Sequence, residues 1–279
     1  MTPEEMVSRL LYRDGLMLVI DKPAGMAVHR GSPNSKDRNR ESIEDHFDAL
    51  RFGLPRPPAL AHRLDRDTSG CLILGRHRKA LAELGKLFRN GAVGKTYWAV
   101  VEGGPDAEEG MIDLPLGRLD DKIGWWMKHD PAGQPALTKW KVLGRTSGYS
   151  AGNLTAGSLT AGSLTGGNLT WLELDLLTGR THQIRVHCAE TGWPVWGDGI
   201  YGHAPRHGGP PLHLLAREVA VPLNKNRPPI RVTAPVPAHM RELLLACGWD
   251  GVEKNISTAS EGQEHPALPA MPDQSTTDQ

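Results

Sequence analysis

The stretch HRLDRDTSG, from His62 to Gly70, decides both the fold and the site of this chain. It places an acid, Asp65, between two basic residues and ends in a Thr-Ser-Gly turn, which is more polar chemistry than an ordinary surface loop needs. The apolar run from Cys71 to Leu74 follows at once and predicts a buried strand. We therefore expect Asp65 on a turn at the mouth of a sheet, where a rigid scaffold positions functional loops.

Composition excludes several classes of protein. The chain has 279 residues and 39% hydrophobic content, which is enough for a core. No apolar run approaches the roughly 20 residues of a membrane span, and the N-terminus has no apolar signal segment, so we predict a cytoplasmic protein. Cys71, Cys188 and Cys247 lack CxxC spacing. This pattern favours buried reduced thiols over a disulfide framework or a zinc site.

Charge is distributed unevenly along the chain. The formal net charge is +0, which by itself argues against a nucleic-acid partner. The stretch 252–279, however, holds five acids and one base, so the remainder carries 31 bases against 27 acids. This small positive excess has the sign that a polyanion attracts. Because Ser, Thr, Gln, Pro and Glu dominate 252–279, we predict an acidic, disordered tail there.

Hydrophobic periodicity predicts a mixture of helices and strands. Lys79 to Arg89 has apolar residues at helical spacing, and Leu137 to Leu143 and Thr170 to Leu177 alternate as a pair of antiparallel strands would. Four uncharged pentads fill Ala151 to Thr170 between those strands, and they predict a long hairpin loop without a part in the chemistry. Further strands are expected at 16–20, 71–74, 95–101 and 230–234, and further helices at 42–52, 180–192 and 237–247.

HRLDRDTSG resembles HRLDxxTSG, the signature of the RluA-type pseudouridine synthases. Four other stretches match that family in its order: DKPAGMAVHRG at 21–31, KTY at 95–97, TGRTHQIRVH at 178–187 and GDGIYG at 197–202. One short match arises easily by chance, whereas five in order are a specific signal. The resemblance implies an α+β pseudouridine synthase catalytic fold over 1–251, with a mixed, mainly antiparallel central sheet flanked by helices and loops.

The resemblance also implies a catalytic set. Asp65 takes the position of the family's catalytic aspartate, and a carboxylate can act there as a nucleophile or stabilise a cationic sugar. A carboxylate near RNA phosphates stays charged only beside a cation. The arginine of the HQIR motif pairs with the catalytic aspartate in the family, so Arg185 is the expected partner, with Arg180 as the alternative. Tyr97, from KTY, would stack on the base or relay a proton.

The expected partner is RNA. A uridine has to leave its stack to reach Asp65, so base flipping is implied, and Arg63 is placed to fill the gap or hold a phosphate. A structural role is the alternative for His62. Core packing is favoured over base stacking for Trp125 and Trp126. The predicted RNA-binding residues are Arg30, His62, Arg63, Arg180 and His182.

The sequence therefore predicts a monomeric RNA pseudouridine synthase that needs neither metal nor cofactor and acts on ribosomal or transfer RNA. The segment VHRG, at 28–31, faintly resembles members that act on transfer RNA. One alternative is a non-catalytic RNA-binding or RNA-folding module on the same scaffold. Another is a hydrolase that pairs Asp65 with Asp67, although the family pattern leaves the position of Asp67 variable.

Overall fold

The computed structural model describes residues 1–30, 41–120, 125–149, 167–224 and 226–253. Within these ranges the helices are α1 (Pro3–Ser8), a 3₁₀ helix (Ile43–Leu50), α2 (Arg78–Arg89), α3 (Gln183–Glu190) and α4 (Ala238–Ala246). The strands are β1 (Leu10–Arg13), β2 (Met17–Lys22), β3 (Ala59–Leu60), β4 (Ser69–Gly75), β5 (Gly94–Glu102), β6 (Glu109–Asp113), β7 (Leu116–Arg118), β8 (Met127–His129), β9 (Leu137–Tyr149), β10 (Gly167–Leu176), β11 (Leu214–Val221) and β12 (Ile230–Thr233).

A large mixed sheet organises the chain. Its main order is β1-β2-β4-β11-β5-β10-β9-β6, with β3 added beside β4 and β12 beside β11. Among the described strands, β4 and β11 form the one parallel pair, and all other pairs are antiparallel. Strands β7 and β8 form a separate hairpin. The predicted α+β class, with a mixed and mainly antiparallel sheet, is confirmed.

Both faces of the sheet are covered, which explains the continuous apolar runs in its central strands. Leu72 and Leu74 of β4 pack in one core with the 3₁₀ helix and α3. Cys71 and Ile73, at the alternate positions, pack in a second core with α2 and α4. Every residue of β4 is buried for this reason.

The register of three central strands brings the Asp65 loop and β5 together. Ala216 of β11 lies opposite Gly70 of β4 on one side and opposite Tyr97 of β5 on the other. Gly70 has a φ of +104°, and an added Cβ would lie 2.3 Å from the carbonyl oxygen of Ala216. Glycine is required at this position because β11 passes so close. The Thr-Ser-Gly turn therefore delivers Asp65 to the end of the sheet where Tyr97 lies.

The pairing of β9 with β10 extends further than the sequence predicts. Strand β10 begins at Gly167, so the last four residues of the predicted loop at 151–170 belong to a strand. Leu169 lies opposite Glu102 of β5 and is buried, because the ladder continues to satisfy its backbone groups. The remainder of the pentads, up to residue 166, lies outside the described residues.

The predicted disordered tail at 252–279 begins with two residues that the structure describes. Glu253 accepts hydrogen bonds from Arg217 at 3.0 Å and from the backbone N–H of Val236 at 2.9 Å, so it is fixed to the body of the protein. Residues 254–279 lie outside the described ranges. The three cysteines are buried and free, as predicted. Across the described ranges, every helix is too short or too polar to cross a membrane.

Candidate active site

A polar cavity of about 590 Å³ opens in front of the loop that precedes β4. Its walls come from this loop, the end of α2, β5, and the stretch that joins β10 to α3. Asp65, Tyr97 and Arg185 all line it, so the structure brings the three predicted catalytic residues to one place. The volume lies within the roughly 300–1,000 Å³ of small-ligand pockets. A nucleoside would fit.

Buried Lys22 supports the Asp65 loop from beneath. Its Nζ donates to the carbonyl oxygens of Pro23, Met26 and Arg66, each at 2.8 Å. Three acceptors use all three protons of an ammonium group, so the charged form fits this site. Because Arg66 directly follows Asp65, Lys22 joins the catalytic loop to the turn after β2.

The charge of Lys22 is balanced by acids around the loop. Burial lowers the pKa of Lys22 to about 7, while the charges of Asp67, Asp65 and Asp21 oppose the shift. The sequence predicts a cation beside Asp65 but points to Arg185 or Arg180, and Lys22 within DKPAGMAVHRG has no predicted role. The DKPAG stretch does indicate a buried lysine, because Lys22 directly extends an apolar strand whose residues lie in the core.

We expect Lys22→Met to destabilise the protein and reduce its activity. The substitution keeps most of the side-chain volume but removes the donors to Pro23 and Met26, and an unpaired buried carbonyl costs about 1–3 kcal/mol. Urea unfolding should show this loss. Lys79→Met, at an exposed position of α2, is the matched control and should leave the unfolding midpoint in place. Equal midpoints for the two variants would contradict the supporting role of Lys22.

Helix α3 is buried along most of its length because polar side chains anchor it to β9. The Gln183 amide donates to the carbonyl oxygen of Leu137 at 2.9 Å and to the hydroxyl of Thr138 at 3.0 Å. His187, one turn further, bonds the same Thr138 hydroxyl at 2.9 Å. These bonds fix the orientation of α3 and therefore of Arg185 between them. Two of the polar residues in the HQIRVH motif are thus structural anchors.

Arg185 pairs with Asp198 and not with Asp65. Its Nε and Nη2 donate to the two Asp198 carboxylate oxygens at 2.7 Å each, and both side chains are buried. No ion pair within 4.0 Å joins Arg185 to Asp65 among the described residues. The predicted ion pair between Arg185 and Asp65 is therefore replaced by one between Arg185 and Asp198, because the guanidinium group has a bidentate partner in the GDGIYG loop.

The electrostatic influence of Asp65 still reaches Arg185. Burial acts to lower the pKa of Arg185, but the hydrogen bonds and charge of Asp198, and then the charge of Asp65, raise it above its ordinary value. The Arg185 guanidinium also lies over the ring of Tyr201, 5.3 Å from its centroid. Arg185, which lines the cavity, and Asp198 together form a buried ion pair.

His182 is the ionisable side chain that lies beside Asp65. Its Nε2 is 3.8 Å from the Asp65 Oδ2, and its Nδ1 is 2.8 Å from the hydroxyl of Tyr201. Only 8% of His182 is exposed, so it forms part of the cavity wall. The sequence predicts His182 as an RNA-binding residue. Its burial and its contact with Asp65 point instead to the catalytic centre.

Tyr97 faces the cavity and Trp98 faces the opposite side of the sheet, as the alternation in β5 predicts. Trp98 packs edge-on against Trp171 with ring centroids 4.7 Å apart. Tyr97 is buried in the core cluster that borders the cavity. Burial raises the pKa of the Tyr97 hydroxyl, and the negative charge of Asp65 raises it further. The phenol therefore stays protonated.

Two predicted RNA-binding arginines lie at the cavity. Arg63 is exposed and lines it next to Asp65. Arg180 also lines the cavity, and its Nε donates to the carbonyl oxygen of Pro135 at 3.0 Å. Lys95 adds a third cationic side chain, which donates to the carbonyl oxygen of Thr178 at 3.2 Å. The rim is therefore basic although the whole chain carries no net charge.

His62, which also lines the cavity, and Arg30 are both held by contacts within the protein. His62 accepts a hydrogen bond from the Ile73 N–H at 2.9 Å and stacks on Phe88 with centroids 4.7 Å apart. Burial, and then the charge of Lys95, lower its pKa to about 4, so it is a neutral structural histidine. Arg30 does not line the cavity and donates to Asp45 at 2.7 Å, because the first turn of the 3₁₀ helix offers it a carboxylate.

Trp125 lies at the edge of the site and not in the core, where the sequence placed it. It is 54% exposed, and its ring meets His182 edge-on at 5.3 Å between centroids. Trp126 behind it lies under the guanidinium of Arg206 at 4.3 Å. The hairpin of β7 and β8 therefore presents an aromatic surface beside the cavity.

Comparisons with known proteins point to one family. A family model described as RNA pseudouridylate synthase matches residues 16–190. The chain is 36% identical over 242 residues to an uncharacterized RNA pseudouridine synthase of Zymomonas mobilis, which covers 85% of this chain and 98% of that relative. It is 30% identical over 246 residues to ribosomal large subunit pseudouridine synthase C of Vibrio cholerae, covering 84% of this chain and 68% of the relative.

Solved structures support the same fold. Human RNA pseudouridylate synthase domain containing 4 matches with a TM-score of 0.65 at 24% identity, covering 88% of this chain and 95% of the other. The family match spans more than half of the chain, and the relatives are aligned over most of it. The chain therefore belongs to the RluA-type family of RNA pseudouridine synthases and is an isomerase of uridine in RNA.

Proposed function

We propose that this enzyme converts a specific uridine of ribosomal or transfer RNA to pseudouridine, with Asp65 as the catalytic carboxylate and the uridine flipped into the cavity. The observation that carries this proposal is the convergence of Asp65, Tyr97 and Arg185 on one cavity of nucleoside size. Ribosomal RNA as the substrate is also supported by the name of the Vibrio cholerae relative.

The chemistry requires a carboxylate that is held firmly but left open. The reaction breaks the bond between N1 of uracil and the sugar, turns the base, and forms a carbon–carbon bond at C5. The Asp65 side chain is 20% exposed toward the cavity, and Lys22 holds its loop. It can assist by attacking the sugar or the base, or by stabilising a cationic sugar.

Tyr97 serves as a neutral partner for the base. Because its phenol stays protonated, it offers the base an aromatic face and a hydroxyl that can pass on a proton when C5 loses its hydrogen. A charged phenolate beside Asp65 would repel the carboxylate. The raised pKa of Tyr97, caused by burial and then by Asp65, prevents this.

The basic rim fits the RNA backbone. Arg63, Arg180 and Lys95 line the cavity. Their positive charges can hold phosphates on either side of the flipped nucleotide. Arg63 is exposed directly beside Asp65, so its side chain can occupy the gap that the uridine leaves in the stack.

The hydrolase alternative requires a second carboxylate in the same cavity as Asp65, and Asp67 does not fit that role. The Asp67 side chain is 49% exposed, 3.9 Å from the Nε of Arg66, and does not line the cavity. A pair of carboxylates that act on one sugar has to face the same site.

Tritium release from RNA labelled with [5-³H]uridine tests the proposal, with ribosomal and transfer RNA supplied separately. We expect release from one of the two, without free uracil among the products. No release from either RNA would contradict the proposed substrates, and free uracil would indicate hydrolysis.

We expect Tyr97→Phe to slow single-turnover pseudouridine formation by about 10²-fold, the lower range for loss of a proton-handling group. The ring remains, so RNA affinity and folding should be unchanged. The matched control is Tyr12→Phe on β1, whose hydroxyl donates to Asp14. If Tyr97→Phe reacts as fast as Tyr12→Phe, the Tyr97 hydroxyl has no part in the reaction.

A further inference from the structure

His182 adopts a left-handed backbone conformation that few residues other than glycine take. Its φ is +55°, and Phe52 is the only other non-glycine residue with positive φ in the part of the chain that the structure describes. This left-handed region is disfavoured for residues with a side chain, and Asn, Asp and His enter it more often than the others. His182 stands at the N-cap of α3, yet its side chain makes no capping hydrogen bond. Helix capping therefore does not explain why His182 is held in this conformation.

The hydrogen bonds of Tyr201 favour one tautomer of His182 over the other. The Tyr201 hydroxyl oxygen accepts from the backbone N–H of Met127 at 2.9 Å. Its own proton is then available for the Nδ1 of His182, 2.8 Å away. A neutral imidazole that accepts at Nδ1 carries its proton on Nε2. That nitrogen is the one 3.8 Å from Asp65.

We propose that His182 is a positioning residue for Asp65, held as the Nε2–H tautomer by Tyr201 so that it donates a hydrogen bond to one carboxylate oxygen during the reaction. The inference rests on the proposed function of Asp65. A separation of 3.8 Å is longer than a formed hydrogen bond, and catalytic hydrogen bonds of this kind shorten when substrate binds.

A neutral donor suits the chemistry better than a direct arginine pair. A guanidinium fork would engage both carboxylate oxygens, whereas His182 orients one oxygen and leaves the other free to react. Burial lowers the pKa of His182, although the charge of Asp65 acts in the opposite direction, so the imidazole is neutral. The charged and titratable groups that face it from the surrounding elements are Arg63 and Asp65 before β4, Arg185 on α3, and Asp198 and Tyr201 after α3.

The tautomer can be observed without any activity measurement. Two-bond ¹H–¹⁵N correlation spectra of the imidazole distinguish a protonated from an unprotonated ring nitrogen. In the free wild-type enzyme at neutral pH, we expect His182 as the Nε2–H tautomer, and in Tyr201→Phe a mixture of tautomers. An Nδ1–H tautomer or an imidazolium in the wild-type protein would overturn the proposal.

Single-turnover kinetics of His182 variants provide a second test of the proposal. Asn accepts the left-handed backbone but is too short to reach Asp65, so His182→Asn should remain folded and bind RNA. We expect its single-turnover rate to fall by about 100-fold, the lower end of the range for loss of one preorganised donor. His182→Gln, whose amide nitrogen can reach the position of Nε2, should recover part of this rate. The matched control is His203→Asn, at an exposed position outside the cavity.

Tyr201→Phe adds a pH readout that a purely structural role would not change. Without the hydroxyl proton, Nδ1 is protonated more readily, so the acid limb of the pH–rate profile should move to higher pH. Suppose that His182→Asn and Tyr201→Phe keep wild-type rates and pH–rate profiles while Asp65→Asn is inactive. This result would overturn the inference about His182 and leave the proposed role of Asp65 intact. An active Asp65→Asn together with the expected tautomer would instead contradict the proposed role of Asp65.

Discussion

Asp65→Asn is expected to abolish pseudouridine formation, with a rate loss of at least about 10³-fold, while RNA binding persists. Asn preserves the size of the side chain but removes the negative charge that attacks the substrate or stabilises a cationic sugar. The surrounding loop should remain intact, because Lys22 holds it through backbone carbonyls and not through the Asp65 carboxylate. Tritium release measures the rate, and filter binding measures the RNA affinity.

Asp67→Asn is the matched control because it removes the same charge two residues away. Asp67 does not line the cavity, so this variant should retain tritium release close to that of the wild type. If Asp65→Asn remained active, or if both variants were equally inactive, the assignment of Asp65 would be wrong.

Asp198→Ala is expected to lower the free energy of unfolding by about 3–5 kcal/mol, because it leaves the buried Arg185 guanidinium without its partner. Asp198 also accepts from the backbone N–H groups of Ile200 and Tyr201, at 2.8 and 3.0 Å, so the loop that carries Tyr201 should loosen as well. Urea unfolding measures the stability, and pseudouridine formation should fall with it.

A surface pair and a double variant provide the controls. Glu108→Ala removes the partner of Arg145 at an exposed position, where such pairs contribute about 0–1 kcal/mol. The double variant Arg185→Met with Asp198→Leu removes both buried charges and should be more stable than Asp198→Ala. A double variant as unstable as the single one would show that the loss does not come from an unpaired charge.

The same pair gives an expected pH dependence of stability. Burial acts to raise the pKa of Asp198, but the hydrogen bonds and charge of Arg185 hold it below the ordinary value of 3.8. A carboxyl whose pKa is lower in the folded state contributes stability above its unfolded pKa and loses it as the pH falls further. Unfolding free energy should therefore decline below about pH 4 in the wild type and less steeply in Asp198→Asn.

Local patterns were sufficient to predict the framework. The apolar run after HRLDRDTSG identified β4, and the helical spacing from Lys79 to Arg89 identified α2, because burial on a sheet or on one helix face leaves a direct periodic trace. Alternation in β5 placed Tyr97 and Trp98 on opposite faces. Motif order then indicated the family, which the relatives confirm.

The sequence by itself determined α2, α3, α4, six of the strands and the stretches that meet at the cavity. Only the tertiary structure decided which side chain touches which: Arg185 pairs with Asp198, Lys22 lies beneath the Asp65 loop, and His182 lies beside Asp65. The physical reason is that burial periodicity is written into neighbouring residues, whereas a hydrogen-bond partner depends on how segments distant along the chain pack in space. The left-handed backbone of His182 belongs to the second class, since only the structure shows which residue of the motif adopts that conformation.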